Sequence, residues 1–124
     1  MDETTHPESF LPLTPAVMHI LLALSDGEKH GYAIMQAVDE LTGQTGAMGP
    51  GTLYGTIKRL LASGLVEECD ERPDPSLDDQ RRRYYRLSGM GEKTLAAEVA
   101  RLAALLKAAK ERLPGVVFHG GSLA

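Results

Sequence analysis

Pro50-Gly51-Thr52-Leu53-Tyr54-Gly55-Thr56-Ile57-Lys58-Arg59-Leu60-Leu61-Ala62-Ser63-Gly64-Leu65-Val66-Glu67-Glu68-Cys69 contains the change of period on which the fold turns. Pro50 suits the first turn of a helix, where its missing N–H is not needed, and the helix predicted from it runs to Ser63 and ends at Gly64. On a wheel of about 100° per residue, Leu53, Ile57, Leu60 and Leu61 share one apolar sector. Tyr54, Gly55, Lys58, Arg59 and Ala62 fall on the other side. After Gly64 the pattern changes to that of a strand, Leu65 to Cys69. A second strand, Arg83-Tyr84-Tyr85-Arg86-Leu87, returns from a polar loop containing Pro73, Asp74, Pro75 and Asp79.

Upstream, Thr14 and Pro15 have the chemistry of a helix cap and first turn. Leu13, Val17, Ile20, Leu21 and Leu24 then form one apolar face that Ser25-Asp26-Gly27 stops. A second helix spans about Gly31 to Leu41, with Ile34, Ala37, Val38 and Leu41 on its stripe, before Thr42-Gly43 breaks it. Downstream, Ser88 caps a last helix over about residues 89–112, closed by Leu113-Pro114-Gly115. Three helices, a hairpin and a fourth helix form the order of a winged helix. The expected class is α+β, mostly α: a winged helix-turn-helix with a C-terminal dimerisation helix. Its parts are a flexible tail over 1–10, a DNA-binding domain over 11–88, a dimerisation helix over 89–113 and a flexible tail over 114–124.

The 124 residues suit one domain, and no apolar run reaches the roughly 18 residues of a membrane span. The polar, acidic start Met1-Asp2-Glu3-Thr4-Thr5-His6 lacks the pattern of a secretory signal, so a cytoplasmic location is expected. The single Cys69 agrees with a reducing compartment, and its quiet half-buried reading outweighs an oxidant-sensing one. His6, His19, His30 and His119 lack metal-ligand spacing, and no nucleophile or acid–base set gathers. No metal, cofactor or catalytic residue is therefore expected. The net charge of −4 opposes nucleic acid only weakly, because binding depends on where the positive charge sits.

On the outer side of the third helix, Lys58 and Arg59 suit phosphate or guanine, Tyr54 suits phosphate, sugar or a thymine methyl, and the N–H groups at Gly51 and Thr52 suit a phosphate. The competing reading makes these ordinary solvated residues, and the wheel alone favours it. Arg81, Arg82, Arg83 and Arg86 bring four of the thirteen basic residues to the returning strand. Seven acids between Glu67 and Asp79 oppose them, and cross-strand pairing competes with DNA contact, most strongly for Arg86. In the last helix Leu95, Val99, Leu102, Leu106, Ala109 and Leu113 follow a 4-3-4-3-4 spacing that suits a partner helix. The alternative is a helix folded back on its own core.

Taken in order, Gly51-Thr52-Leu53-Tyr54, Lys58-Arg59-Leu60-Leu61, Gly64-Leu65-Val66, Arg83-Tyr84-Tyr85-Arg86-Leu87 and Gly91, with His30-Gly31-Tyr32-Ala33-Ile34 upstream, resemble the PadR family of bacterial transcriptional regulators over roughly residues 11–113. Gly55 departs from the proline that often follows the tyrosine. The resemblance implies recognition-helix contacts at Tyr54 and Lys58, a backbone contact at Tyr32, and wing contacts for which Arg81 and Arg82 are the candidates. It also implies a homodimer in which the last helix meets the partner's first helix, bringing Val17 and Leu21 into the interface. The single C-terminal helix is similar to that of short-tailed members. The function implied is a repressor on palindromic operator DNA, released by a small-molecule effector. A winged helix used only for protein–protein interaction is the alternative.

Overall fold

The computed structural model describes residues 6–69, 72–73 and 81–116, with the backbone alone at residues 72, 73, 81 and 82. A turn of 3-10 helix at Pro7–Phe10 leads into helix α1, Pro15–Ala23. Strand β1 is Lys29–His30, and helices α2 and α3 are Gly31–Thr42 and Pro50–Ala62. Strands β2, Val66–Glu68, β3, Arg72–Pro73, β4, Arg81–Arg82, and β5, Tyr84–Leu87, precede helix α4, Gly89–Arg112. The fold is mostly helical, with an antiparallel three-stranded sheet in the order β1-β5-β2 and a short β3–β4 pair further out on the hairpin.

The predicted helix starts hold because the caps are local. The Val17 N–H donates to the Thr14 hydroxyl (3.3 Å), and the Gly91 N–H donates to that of Ser88 (2.9 Å). The strand β1 was not foreseen. Two residues carry no periodicity, and Lys29 and His30 become a strand only by pairing with Tyr85 and Tyr84. Within the expected tail over 1–10, Pro7–Phe10 is helical, packs on α4 and sets Phe10 against the core. Of the expected tail over 114–124, residues 117–124 lie outside the described residues, as do Asp74, Pro75 and Asp79 of the wing loop.

The core joins Ile20, Leu21 and Leu24 of the first helical segment to Ile34 and Val38 of α2, Leu53, Ile57 and Leu60 of α3, and Leu65, Val66, Tyr85 and Leu95. Each such aliphatic side chain contributes about 1.5–3 kcal/mol on full burial. Exposed ion pairs contribute about 0–1 kcal/mol. The short sheet is therefore held by the core beneath it more than by the charges along it. Leu21 and Leu95, expected in the dimer interface, sit in this core of the protomer, at 0% and 7% exposure. Leu41, expected on the apolar stripe of α2, is half exposed at the last-but-one residue of the helix.

Two polar junctions fix α4. The Ser88 hydroxyl donates to the Gly64 carbonyl (2.6 Å) while its N–H donates to the Leu65 carbonyl (3.1 Å). Gly64 itself has φ +80°, a left-handed conformation that favours glycine at the turn from α3 to β2. At Gly91 a Cβ would lie 2.0 Å from the Leu65 carbonyl oxygen, so α4 can dock on this turn only without a side chain there. Further along α4, Glu98 is 2% exposed. It accepts a hydrogen bond from the Leu13 N–H (3.0 Å), and Arg101 donates to it through Nε (2.6 Å) and Nη2 (3.0 Å). Hydrogen bonding from Arg101, aided by the Leu13 N–H, holds the Glu98 carboxyl below its ordinary value against the opposing effect of burial.

Gly91→Ala is expected to lose about 1–3 kcal/mol in urea unfolding, the size of an overpacked core position. A loss too small to measure would mean that α4 docks elsewhere. Because the folded value of Glu98 is depressed, its stabilisation is fully present above the ordinary carboxylate value of about 4.3 and is lost as pH falls through the folded value. Glu98→Gln is therefore expected to be less stable than wild type at neutral pH, with the gap narrowing below about pH 4. A gap that stays constant with pH would remove Glu98 from the acid-linked stability.

Candidate nucleic-acid interface

The placement of α3 is set by its two neighbours. The Asp39 carboxylate on α2 accepts from the N–H groups of Gly46 (3.2 Å) and Ala47 (3.0 Å), and Met48 is buried, so the turn before α3 is tied down at both ends. Leu53, Thr56, Ile57 and Leu60 then face inward. Thr56 is a core position that the apolar wheel missed; its hydroxyl accepts from Arg59 Nη2 (3.2 Å), which satisfies it locally. Gly49 caps the helix without a side-chain hydrogen bond, and Gly51 and Thr52 are exposed. That leaves first-turn N–H groups for an anion.

The outer face carries Tyr54, 48% exposed, with Lys58 and Arg59 also exposed. Among the described residues Lys58 has no hydrogen-bond or ion-pair partner, whereas Arg59 is engaged with Thr56. Tyr32, on the first turn of α2, is 48% exposed. Its neighbour Gly31 is in close contact with the Tyr54 phenol, which joins the first turn of α2 to the outer face of α3. His30 holds this turn in place. Its Nδ1 accepts from the Ala33 N–H (3.1 Å), and its ring meets Tyr84 edge-on (5.3 Å) and stacks with Tyr32 (6.5 Å). Histidine is not among the usual cap residues, which is why this role was not legible from residue type.

The base of the wing is self-paired. In the observed register Glu67 faces Arg86, and Arg86 Nε lies 3.0 Å from the Glu67 carboxylate. Arg83 Nε is 3.4 Å from Glu68. Hydrogen bonding to Glu67 holds the Arg86 guanidinium above its ordinary range. Tyr85 points inward, and burial, followed by the Glu68 carboxylate and then Tyr54, pushes its phenol up. The side chains of Arg81 and Arg82 lie outside the described residues.

Helix α4 exposes Val99, Leu102, Leu105, Leu106 and Leu113, while Val17 and Ala109 are half-buried. An open groove of about 470 Å³ runs beside this row, lined by Ser25, Leu87, Glu92, Leu95, Ala96, Val99, Ala100 and Ala103. Among the described residues no cluster of His, Cys, Asp and Glu could hold a metal ion, and no helix is long and apolar enough to cross a membrane. Cys69 is half-buried at the end of β2, with its N–H donating to the Tyr84 carbonyl (2.7 Å).

The sequence pattern of the transcriptional regulator PadR-like family matches residues 20–97. The chain is 36% identical over 105 residues to the transcriptional regulator Rv3488 of Mycobacterium tuberculosis, covering 85% of this chain and 89% of that one. It is 38% identical over 104 residues to an uncharacterized 37.1 kDa protein in transposon TN4556 of Streptomyces fradiae. That match covers 84% of this chain but spans only 25% of the longer relative. In structure it is similar to Bacillus subtilis PadR in complex with operator DNA, with a TM-score of 0.59 and 23% identity over 71% of this chain and 48% of that one.

Proposed function

The chain belongs to the PadR-like family of transcriptional regulators, and on that premise we propose that it is a homodimeric repressor that binds a two-fold-symmetric operator through α3. The observation that carries this reading is the division of α3 into two faces. Leu53, Ile57 and Leu60 are buried, and Tyr54 and Lys58 are turned to solvent beside Tyr32. A helix held so firmly on one side offers the other to a major groove, and the solved complex of the Bacillus subtilis relative contains operator DNA. Lys58 neutralises phosphate or meets guanine, Tyr54 meets backbone or a thymine methyl, and Tyr32 contacts the flanking backbone. The amides of Gly51 and Thr52 receive a phosphate, and Arg59, Arg81 and Arg82 add cationic contacts at the periphery.

The exposed row on α4 supports the dimer. Val99, Leu102, Leu106, Ala109 and Leu113 seat a second copy, with Val17 of α1 at the edge, because so many neighbouring apolar side chains rarely face water in a lone protomer. Two α3 helices then read half-sites about 34 Å apart, which makes the operator palindromic. The groove beside α4 suits a small apolar effector. Such a ligand releases DNA only if it binds the released geometry more tightly than the DNA-bound one.

Binding of a duplex carrying the region upstream of its own gene is expected to fall steeply with salt. Lys58→Ala is expected to weaken it about fivefold and to lower the salt slope by about 1, with unfolding unchanged. Salt-insensitive or absent duplex binding would favour a protein-interaction role, and an unaltered affinity in the variant would remove Lys58 from the contact surface. Leu102→Asp is expected to give a folded monomer by sedimentation, since Leu102 is already exposed in the protomer. A variant that stays dimeric at low concentration would refute the α4 interface.

A further inference from the structure

Gly31 stands apart from the glycines of α3. A Cβ built at Gly51 meets nothing within 4 Å, and one at Gly55 meets only Arg59 Nη1 at 3.9 Å. At Gly31 a Cβ would lie 2.2 Å from Tyr54 Oη, 2.7 Å from Cζ and 2.9 Å from Cε1. The end of the phenol therefore occupies the space that any other residue's side chain would take. Gly31 is also buried in the first turn of α2, where alanine would ordinarily be the better helix former.

We infer that Gly31 is a positioning residue for DNA binding: the notch left by its missing Cβ seats the Tyr54 phenol and sets the angle at which the recognition helix presents it. This rests on the reading of Tyr54 as a DNA contact. The two sides of the contact differ in how easily they move. Gly31 follows His30, whose backbone pairs with Tyr84 in the sheet and whose ring caps the Ala33 N–H and packs edge-on against Tyr84. Tyr54 is half exposed, with solvent to turn into. A methyl group at position 31 therefore displaces the phenol and leaves the helix where it is. An aromatic ring with only two side-chain torsions presents a sharply defined surface once one edge is seated.

The test compares wild type, Gly31→Ala, Tyr54→Ala and the double variant, with tyrosine-ring NMR on the free proteins and binding to the upstream duplex. In Gly31→Ala the Tyr54 ring signals are expected to move and duplex affinity to fall about fivefold to tenfold, the size of one lost contact. In the Tyr54→Ala background the same glycine change is expected to cause no further loss. Unmoved ring signals, or an equal loss in both backgrounds, would overturn the inference. If Tyr54→Ala binds like wild type, the DNA reading of Tyr54 fails, and the ring signals alone decide whether Gly31 seats the phenol. Should Gly31→Ala fail to fold, recovery of folding in the double variant supports the contact, and continued failure overturns it.

Discussion

At Gly91 the backbone of α4 lies so close to the Leu65 carbonyl that a methyl group has no room. Ser88 secures that approach from the other side, hydrogen bonding to Gly64, Leu65 and Gly91 within one turn. The junction joins the end of α3, the start of β2, the end of β5 and the start of α4. The recognition helix, the wing and the proposed dimer helix therefore share one anchor. A shift of α4 relative to its own domain would have to pass through this contact, which makes it a stiff link between the proposed dimer interface and the proposed DNA-binding face. Glu98 forms the second tie, from α4 to the entry of α1.

The two faces of α3 divide the work between stability and recognition. Its inner side chains are worth several kcal/mol together by burial, and on the outer side Lys58 is exposed and has no partner among the described residues. That freedom suits a binding surface. The wing is arranged differently, since Arg83 and Arg86 are already paired with Glu68 and Glu67. To contact phosphate they would have to give up partners at hand, so the cations on α3 are the better placed.

Much of this was legible in the sequence. Thr14, Ser88 and Gly64 marked helix ends correctly because caps and turns depend on neighbours within a few residues. The apolar face of α3 was legible for the same reason, whereas the pairing of Arg86 across the hairpin was one of two readings that stayed open. Glu98 was not legible: one charge beside an apolar row reads as solvated until Leu13 and Arg101 are seen to converge on it. Leu21 and Leu95 belonged to apolar stripes, as read, but a stripe does not say which partner covers it.

The sequence by itself determined the order of the four helices and the hairpin, the family and the outward direction of Tyr54 and Lys58, since these follow from spacing along one helix and from a run of motifs. Only the tertiary structure decided that Gly31 lies against Tyr54, that Gly91 lies against Leu65, and which leucines of α4 remain exposed. The reason is physical. Periodicity is a property of neighbours three or four residues apart, whereas these contacts join segments more than 20 residues apart, brought together by the packing of the core.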